Sequence, residues 1–118
     1  MNMAEESTLL RIYIGESDRS GHQPLYEAIV EKARENHLAG ATAIRGSLGF
    51  GKSSRIHTAK ILRLSMDLPI IIEIIDTEQK IAEFLPVLKG MMTGGLITTQ
   101  PIKVQHYEAG PELETPPV

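Results

Sequence analysis

The sequence contains no cysteine, so neither a disulfide bond nor a thiolate metal site can form. It also lacks an unbroken apolar run of about 20 residues, the length that a membrane-spanning helix needs. Its longest apolar run, Leu68 to Ile75, is interrupted by Pro69 and Glu73. The N-terminal stretch MNMAEEST is acidic, unlike a secretory signal. The formal net charge of −3 argues against a general nucleic-acid-binding protein, and a cytoplasmic protein is the simplest interpretation.

Acidic side chains are also absent from one long internal segment. No Asp or Glu occurs between Asn36 and Met66, although the same segment carries Arg45, Lys52, Arg55, His57, Lys60 and Arg63. A basic island in an acidic protein favours a docking surface for an anion or an acidic partner. A solvated basic loop remains the alternative.

The length of 118 residues suits one compact domain. We assign residues 1–107 to this domain and expect the proline-rich, acidic residues 108–118 to form a disordered tail. Gly40 is the predicted stop of the first helix, and Pro101 predicts that the last strand is bulged or lies at a sheet edge.

Apolar periodicity predicts four strands and two helices. The predicted strands are Thr8–Gly15, Ala41–Leu48, Pro69–Ile75 and Leu96–Tyr107. The predicted helices are Leu25–Leu38 and Glu78–Met92. The order βαββαβ predicts an α+β, ferredoxin-like fold, a four-stranded antiparallel sheet with two helices on one face. The other face would stay bare, and its apolar side chains predict self-association.

One glycine-rich motif suggests a nucleotide site. Residues 45–57 read RGSLGFGKSSRIH, in which Gly46 to Ser53 fit the Walker A pattern GxxxxGK[ST]. A P-loop joins a parallel strand to a helix N-terminus, but the residues after Lys52 make a poor helix start. A small nucleotide hydrolase that uses Lys52 and Asp76 therefore stays an alternative only.

The glycines allow a second interpretation. Closely spaced glycines permit close backbone approach, and successive amides in such a turn can bind an anion. Lys52 would add a positive charge beside them. A bulged, flexible strand end is the competing explanation.

Several segments carry a family resemblance. The sequence Gly49-Phe50-Gly51-Lys52, at the end of the second predicted strand, resembles the G-F-G segment of PII signalling proteins, which precedes a long partner-contacting loop. More closely, the chain resembles a PII-like family of small, uncharacterised bacterial proteins. The segments that carry this likeness are GESDR (15–19), PLYEAIVEKARE (24–35), SSRIHTAKILRLS (53–65) and DLPIIIEIID (67–76).

The resemblance implies a non-enzymatic regulatory homotrimer whose sheets line the trimer centre. It also implies a ligand cleft between subunits, formed by Gly49, Phe50, Gly51 and Lys52 on one side and by Gly94 and Gly95 on the other. The implied ligand is ATP, ADP or another adenine nucleotide. The 52–66 loop, through Arg55, His57, Lys60 and Arg63, would contact a regulated partner such as a membrane transporter or an enzyme.

The sequence departs from the PII pattern in three places. Ser53 and Ser54 stand where PII proteins have a glutamine that helps to bind Mg²⁺ and 2-oxoglutarate. The 52–66 loop has no tyrosine to modify, and no lysine follows closely after Gly95. The histidines show no metal-ligand spacing, so we predict neither a metal site nor a catalytic residue. A structural trimer that binds a protein partner without a ligand is a further alternative.

Overall fold

A computed structural model describes residues 6–50, 56–58 and 67–108, with the backbone alone for residues 48, 50 and 56–58. The elements along the chain are β1 (Glu6–Gly15), β2 (Arg19–Ser20), β3 (Gln23–Pro24), α1 (Leu25–Glu35), β4 (Ala41–Arg45), β5 (Leu48–Phe50), β6 (Ile56–Thr58), β7 (Pro69–Asp76), α2 (Glu78–Met91) and β8 (Leu96–Lys103). No helix of this described part is long and apolar enough to cross a membrane.

The main sheet has four strands in the order β4-β7-β1-β8, and all three neighbouring pairs are antiparallel. Strands β1 and β4 are therefore parallel to each other with β7 between them, and β7 and β8 are parallel with β1 between them. This interleaving of two split βαβ units is the ferredoxin-like arrangement, so the predicted fold class is confirmed. Two small hairpins, β2–β3 and β5–β6, lie outside the main sheet.

The core lies between the sheet and the two helices. Side chains alternate between the faces of a strand, and every second residue of β1 and β7 points towards the helices. The core cluster comprises Leu10, Ile12, Ile14, Leu25, Ile29, Ala33, Ile70, Ile72, Ile74, Ile81, Phe84 and Leu88. Both helices contribute to this one cluster, so neither α1 nor α2 covers the opposite face of the sheet, which we call the helix-free face.

The first helix ends earlier than its apolar pattern predicts. His37 adopts a left-handed conformation with φ of 60°, and its N–H donates to the Arg34 carbonyl at 3.0 Å. The Leu38 N–H donates to the Ala33 carbonyl at 3.1 Å. These two bonds form a Schellman motif, which closes the helix at Glu35. The helix end predicted at Leu38, with Gly40 as the stop, is therefore corrected.

Several other element boundaries also differ from the prediction. The second strand divides at Gly46 and Ser47 into β4 and β5. The last strand ends at Lys103, not at Tyr107, because the chain then leaves the sheet and the Tyr107 hydroxyl donates to the Ala39 carbonyl at 3.3 Å. Strand β8 is an edge strand, as Pro101 predicts. Helix α2 continues through Pro86 to Met91.

Asp76, at the end of β7, holds two separate parts of the fold together. Its side chain is fully buried. One carboxylate oxygen accepts the Ala39 N–H at 2.9 Å, and the other accepts the Thr77 N–H at 2.7 Å. The first bond fixes the turn between α1 and β4, and the second orients the N-cap residue of α2. Asp76 is therefore a structural residue that connects the two βαβ units.

We predict that Asp76→Ala lowers the free energy of unfolding by about 1–3 kcal/mol, because it leaves two partly buried backbone donors, the Ala39 and Thr77 N–H groups, without this acceptor. Urea denaturation followed by circular dichroism measures this change. Glu83→Ala, at an exposed carboxylate of α2, is the matched control and should stay within about 0.5 kcal/mol of the wild type. Equal stabilities of the two variants would contradict the structural role of Asp76.

Candidate functional site

The glycines singled out in the sequence gather at one end of the main sheet. Strands β1 and β4 end there, and β7 and β8 begin there. We call this the glycine end, and its described members are Gly15, Gly46, Gly49, Gly94 and Gly95. The antiparallel order of the strands brings these residues together, although up to 80 positions separate them (95 − 15).

Pro69, the first residue of β7, forms a packing surface for two of these glycines. The Gly46 N–H donates to the Pro69 carbonyl at 2.7 Å. A Cβ atom on Gly46 would lie 2.8 Å from Pro69 Cγ, and one on Gly49 would lie 3.2 Å from the same atom. Both distances are shorter than ordinary carbon contacts, so the backbone of residues 46–49 lies directly on the proline ring.

Gly94 and Gly95 differ sharply in their surroundings. Gly95 has φ of +100°, and a Cβ atom there would lie 2.6 Å from the Tyr13 carbonyl oxygen. The fold therefore requires glycine at position 95. A Cβ atom on Gly94 would meet nothing within 4 Å. Packing against the described residues of the chain does not account for glycine at position 94.

Hydrogen bonds join the loop after β1 to the residues just before β7. Asp18 accepts the Gly15 N–H at 2.9 Å, and Asp67 accepts the Ser17 N–H at 2.8 Å. The Glu16 N–H donates to the Leu68 carbonyl at 2.7 Å. Asp18 thus hydrogen-bonds to the backbone of its own loop, as aspartate commonly does in polar loops. Sequence reasoning missed Asp67, whose partner lies 50 positions away.

Arg45 places a positive charge at the glycine end. It is the last residue of β4, it immediately precedes Gly46, and its side chain is 56% exposed. Its guanidinium forms an ion pair with Glu16, whose side chain is 22% exposed. An exposed ion pair of this kind contributes little to stability. The guanidinium can therefore exchange this partner for another anion at small cost.

The structure describes only part of the predicted ligand site. Gly49 and Phe50 lie in β5, and Gly49 pairs with His57 of β6 in the backbone register. Gly94 and Gly95 directly precede β8. The remaining predicted ligand residues, Gly51 and Lys52, and the loop residues Arg55, Lys60 and Arg63 lie outside the described residues.

The geometry does not suit the Walker-type alternative. Strand β5 pairs antiparallel with β6, whereas a P-loop strand leads directly into a helix. Asp76 and Pro69 stand at opposite ends of β7, an eight-residue strand that spans roughly 23 Å. Because Gly49 packs on Pro69, the buried Asp76 carboxylate is at the wrong end of the sheet to act beside it.

The described residues contain no metal-binding cluster, and their groove lies away from the glycine end. No group of three or more His, Asp or Glu side chains among them could hold a metal ion. A groove of about 580 Å³ lies between α2, β8 and the start of β1, with Thr8, Ile81 and Thr99 in its lining. This groove is at the opposite end of the sheet from the predicted site residues, so we do not assign the ligand site to it.

The chain belongs to the DUF190 family (Uncharacterized ACR, COG1993), whose model matches residues 7–104. A UPF0166 protein of Aquifex aeolicus is 41% identical over 96 residues, which cover 81% of this chain and 90% of that protein. A UPF0166 protein of Methanocaldococcus jannaschii is 34% identical over 83 residues, which cover 70% of this chain and 76% of that protein. The predicted membership of a family of small, uncharacterised proteins is confirmed.

A solved structure shares the fold. It is that of CPII, a nitrogen regulatory PII-like protein from Thiomonas intermedia K12, bound to ADP, AMP and bicarbonate. The superposition has a TM-score of 0.59 and covers 86% of this chain and 90% of CPII, with 17% sequence identity. At this identity, the likeness shows the fold alone.

The two adjacent glycines give a matched pair of variants. We predict that Gly95→Ala lowers the free energy of unfolding by about 1–3 kcal/mol, because alanine at this positive φ is strained and its Cβ meets the Tyr13 carbonyl. Gly94→Ala should leave the unfolding midpoint in urea nearly unchanged, because its Cβ would meet only open space. Loss of stability in Gly94→Ala but not in Gly95→Ala would contradict this assignment.

Proposed function

We propose that this DUF190 protein is a cytoplasmic, non-enzymatic PII-like regulator. It assembles as a homotrimer and binds an adenine nucleotide such as ATP or ADP in a cleft between subunits. Ligand binding changes the contacts that the 52–66 loop makes with a regulated protein, such as a membrane transporter or an enzyme. The observation that carries this proposal is the meeting of two glycine segments, an exposed arginine and both ends of the basic loop at one end of the sheet.

The backbone and charge of the glycine end suit a phosphate group. Gly46 and Gly49 have no side chains, and Arg45, whose side chain is largely exposed, directly precedes Gly46. The largely exposed Arg45 guanidinium, which pairs with Glu16 among the described residues, can turn to a phosphate, which matches its donor geometry. CPII, which shares this fold, was solved with ADP and AMP bound, and this supports an adenine nucleotide as the ligand class.

A second subunit would complete the site. Within one chain, Gly46 and Gly49 lie against Pro69 on the β4–β7 half of the sheet. Gly95 lies against Tyr13 and Ile14 on the β1–β8 half. In the proposed cleft, Gly49, Phe50, Gly51 and Lys52 of one copy face Gly94 and Gly95 of another, which is the arrangement that the resemblance to PII proteins implies. The openness around Gly94 fits this role, since no neighbour in its own chain requires a glycine there.

The proposed ligand site adjoins the segments that lead into and out of the 52–66 loop. The basic segment leaves β5 at Phe50 and returns at Asp67, which accepts the Ser17 N–H. Both of these points lie at the glycine end. A nucleotide bound there would favour those loop conformations in which Lys52 contacts the phosphate. Arg55, His57, Lys60 and Arg63 would then present a defined basic surface to the partner.

We predict that ATP or ADP, at a hundred times its dissociation constant, stabilises the wild type by about 2.7 kcal/mol. This stabilisation should raise the melting temperature by several degrees. Arg45→Gln and Lys52→Ala should each reduce the shift, because each removes a phosphate-binding cation. Thermal-shift measurements with ATP, ADP, AMP and inorganic phosphate test this, with Lys89→Ala, on exposed α2 surface, as the matched control.

Three outcomes would contradict the proposal in different ways. If none of the four compounds shifts the wild type, the trimer that binds a protein partner without a ligand becomes the better hypothesis. If the wild type releases phosphate from ATP and Lys52→Ala does not, the protein is a hydrolase. Reduction of the shift in Lys89→Ala as well would show that general surface charge, not the glycine end, attracts the nucleotide.

A further inference from the structure

Arg45, the exposed cation of the glycine end, already has an anionic partner within its own chain. Its guanidinium pairs with the Glu16 carboxylate, and the two side chains are 56% and 22% exposed, respectively. The less exposed member is the carboxylate, which is the member that a phosphate ligand would have to replace. Glu16 thus holds the same guanidinium that the proposed function assigns to a phosphate group.

Hydrogen bonds fix the backbone of Glu16 close to Arg45. The Glu16 N–H donates to the Leu68 carbonyl at 2.7 Å. The next residue, Ser17, donates its N–H to the Asp67 carboxylate at 2.8 Å. Two consecutive amides are therefore bound to the residues just before β7, and the motion left to Glu16 is mainly that of its side chain.

The backbone beside Arg45 is fixed from the same segment. Arg45 ends β4, and the N–H of the following residue, Gly46, donates to the Pro69 carbonyl at 2.7 Å. Two adjacent residues, Leu68 and Pro69, thus hold the backbones on the two sides of the ion pair. The carboxylate and the guanidinium therefore meet at a high effective concentration, since neither backbone has to move to bring them together.

A role in stability does not explain the Glu16–Arg45 pair. Ion pairs with an exposed member contribute little to the free energy of unfolding. The segments that this pair joins are also connected by backbone hydrogen bonds, from Glu16 to Leu68 and from Gly46 to Pro69. The fold therefore does not depend on the pair, and its effect falls on the availability of the Arg45 guanidinium.

We propose that Glu16 is an internal competitor of the anionic ligand at Arg45 and that the phosphate binds by displacing its carboxylate. This inference rests on the proposed function and adds the residue that regulates the affinity of its site. Arg45 is available only in the fraction of molecules in which the ion pair is broken. The observed Kd therefore exceeds the Kd of a site without Glu16 by the inverse of that fraction. Because an exposed ion pair is weak, this factor is modest and the ligand can overcome it.

Isothermal titration calorimetry with ADP and with ATP tests this proposal. Glu16→Gln should lower the Kd about three- to tenfold, because glutamine keeps the shape of the side chain but does not compete as an anion. In an Arg45→Gln background, the same change should alter the Kd by less than about twofold, because the cation for which Glu16 competes is gone. Glu35→Gln is the matched control, since it removes a carboxylate from another exposed ion pair, with Lys32 at 3.1 Å. It should leave the Kd within about twofold of the wild-type value.

The outcomes separate this inference from the proposed function. If neither nucleotide binds to the wild type or to Glu16→Gln, both the proposed function and this inference are wrong. If the wild type binds a nucleotide and Glu16→Gln binds it no more tightly, only this inference is wrong. A gain of equal size in Glu35→Gln, or one that persists in the Arg45→Gln background, would show a general effect of charge and would also overturn it. The urea midpoint of Glu16→Gln should match that of the wild type, and a clear fall would make the pair a folding contact instead.

Discussion

The register between β1 and β7 determines most other features of this molecule. Eight residue pairs, from Thr8–Asp76 to Gly15–Pro69, follow one another without a break. Because side chains alternate along a strand, this register places Ile12 and Ile72 in the core and the Arg11–Glu73 pair on the opposite face. A slip of one strand by one residue would bring a charge into the core, so the alternative registers are strongly disfavoured.

Local patterns were sufficient to predict the architecture, but not every boundary. The run PIIIEII is short and rich in β-branched residues, and it does form a central strand. The end of α1 could not be predicted in this way, because a histidine such as His37 does not mark the end of a helix as a glycine such as Gly40 does. The helix ends where two backbone hydrogen bonds close it, and their geometry depends on how the chain enters β4.

The candidate site was harder to predict from the sequence than the fold. Gly49, Gly94 and Gly95 could be selected from the family resemblance, and the sheet places all three at one end. The contacts that shape this end join residues far apart in the sequence, such as Glu16 with Arg45 and Ser17 with Asp67. No spacing rule connects such pairs, because their proximity exists only after three strands have assembled.

The position of Pro101 also bears on how this protein avoids uncontrolled polymerisation. An edge strand offers unpaired backbone groups to any passing chain, and continued strand addition of this kind leads to fibrils. Pro101 lies within the edge strand β8, where it has no N–H to donate, and β8 ends in a charged residue, Lys103. Addition of a further strand to β8 is therefore hindered at Pro101 and opposed by the charge of Lys103.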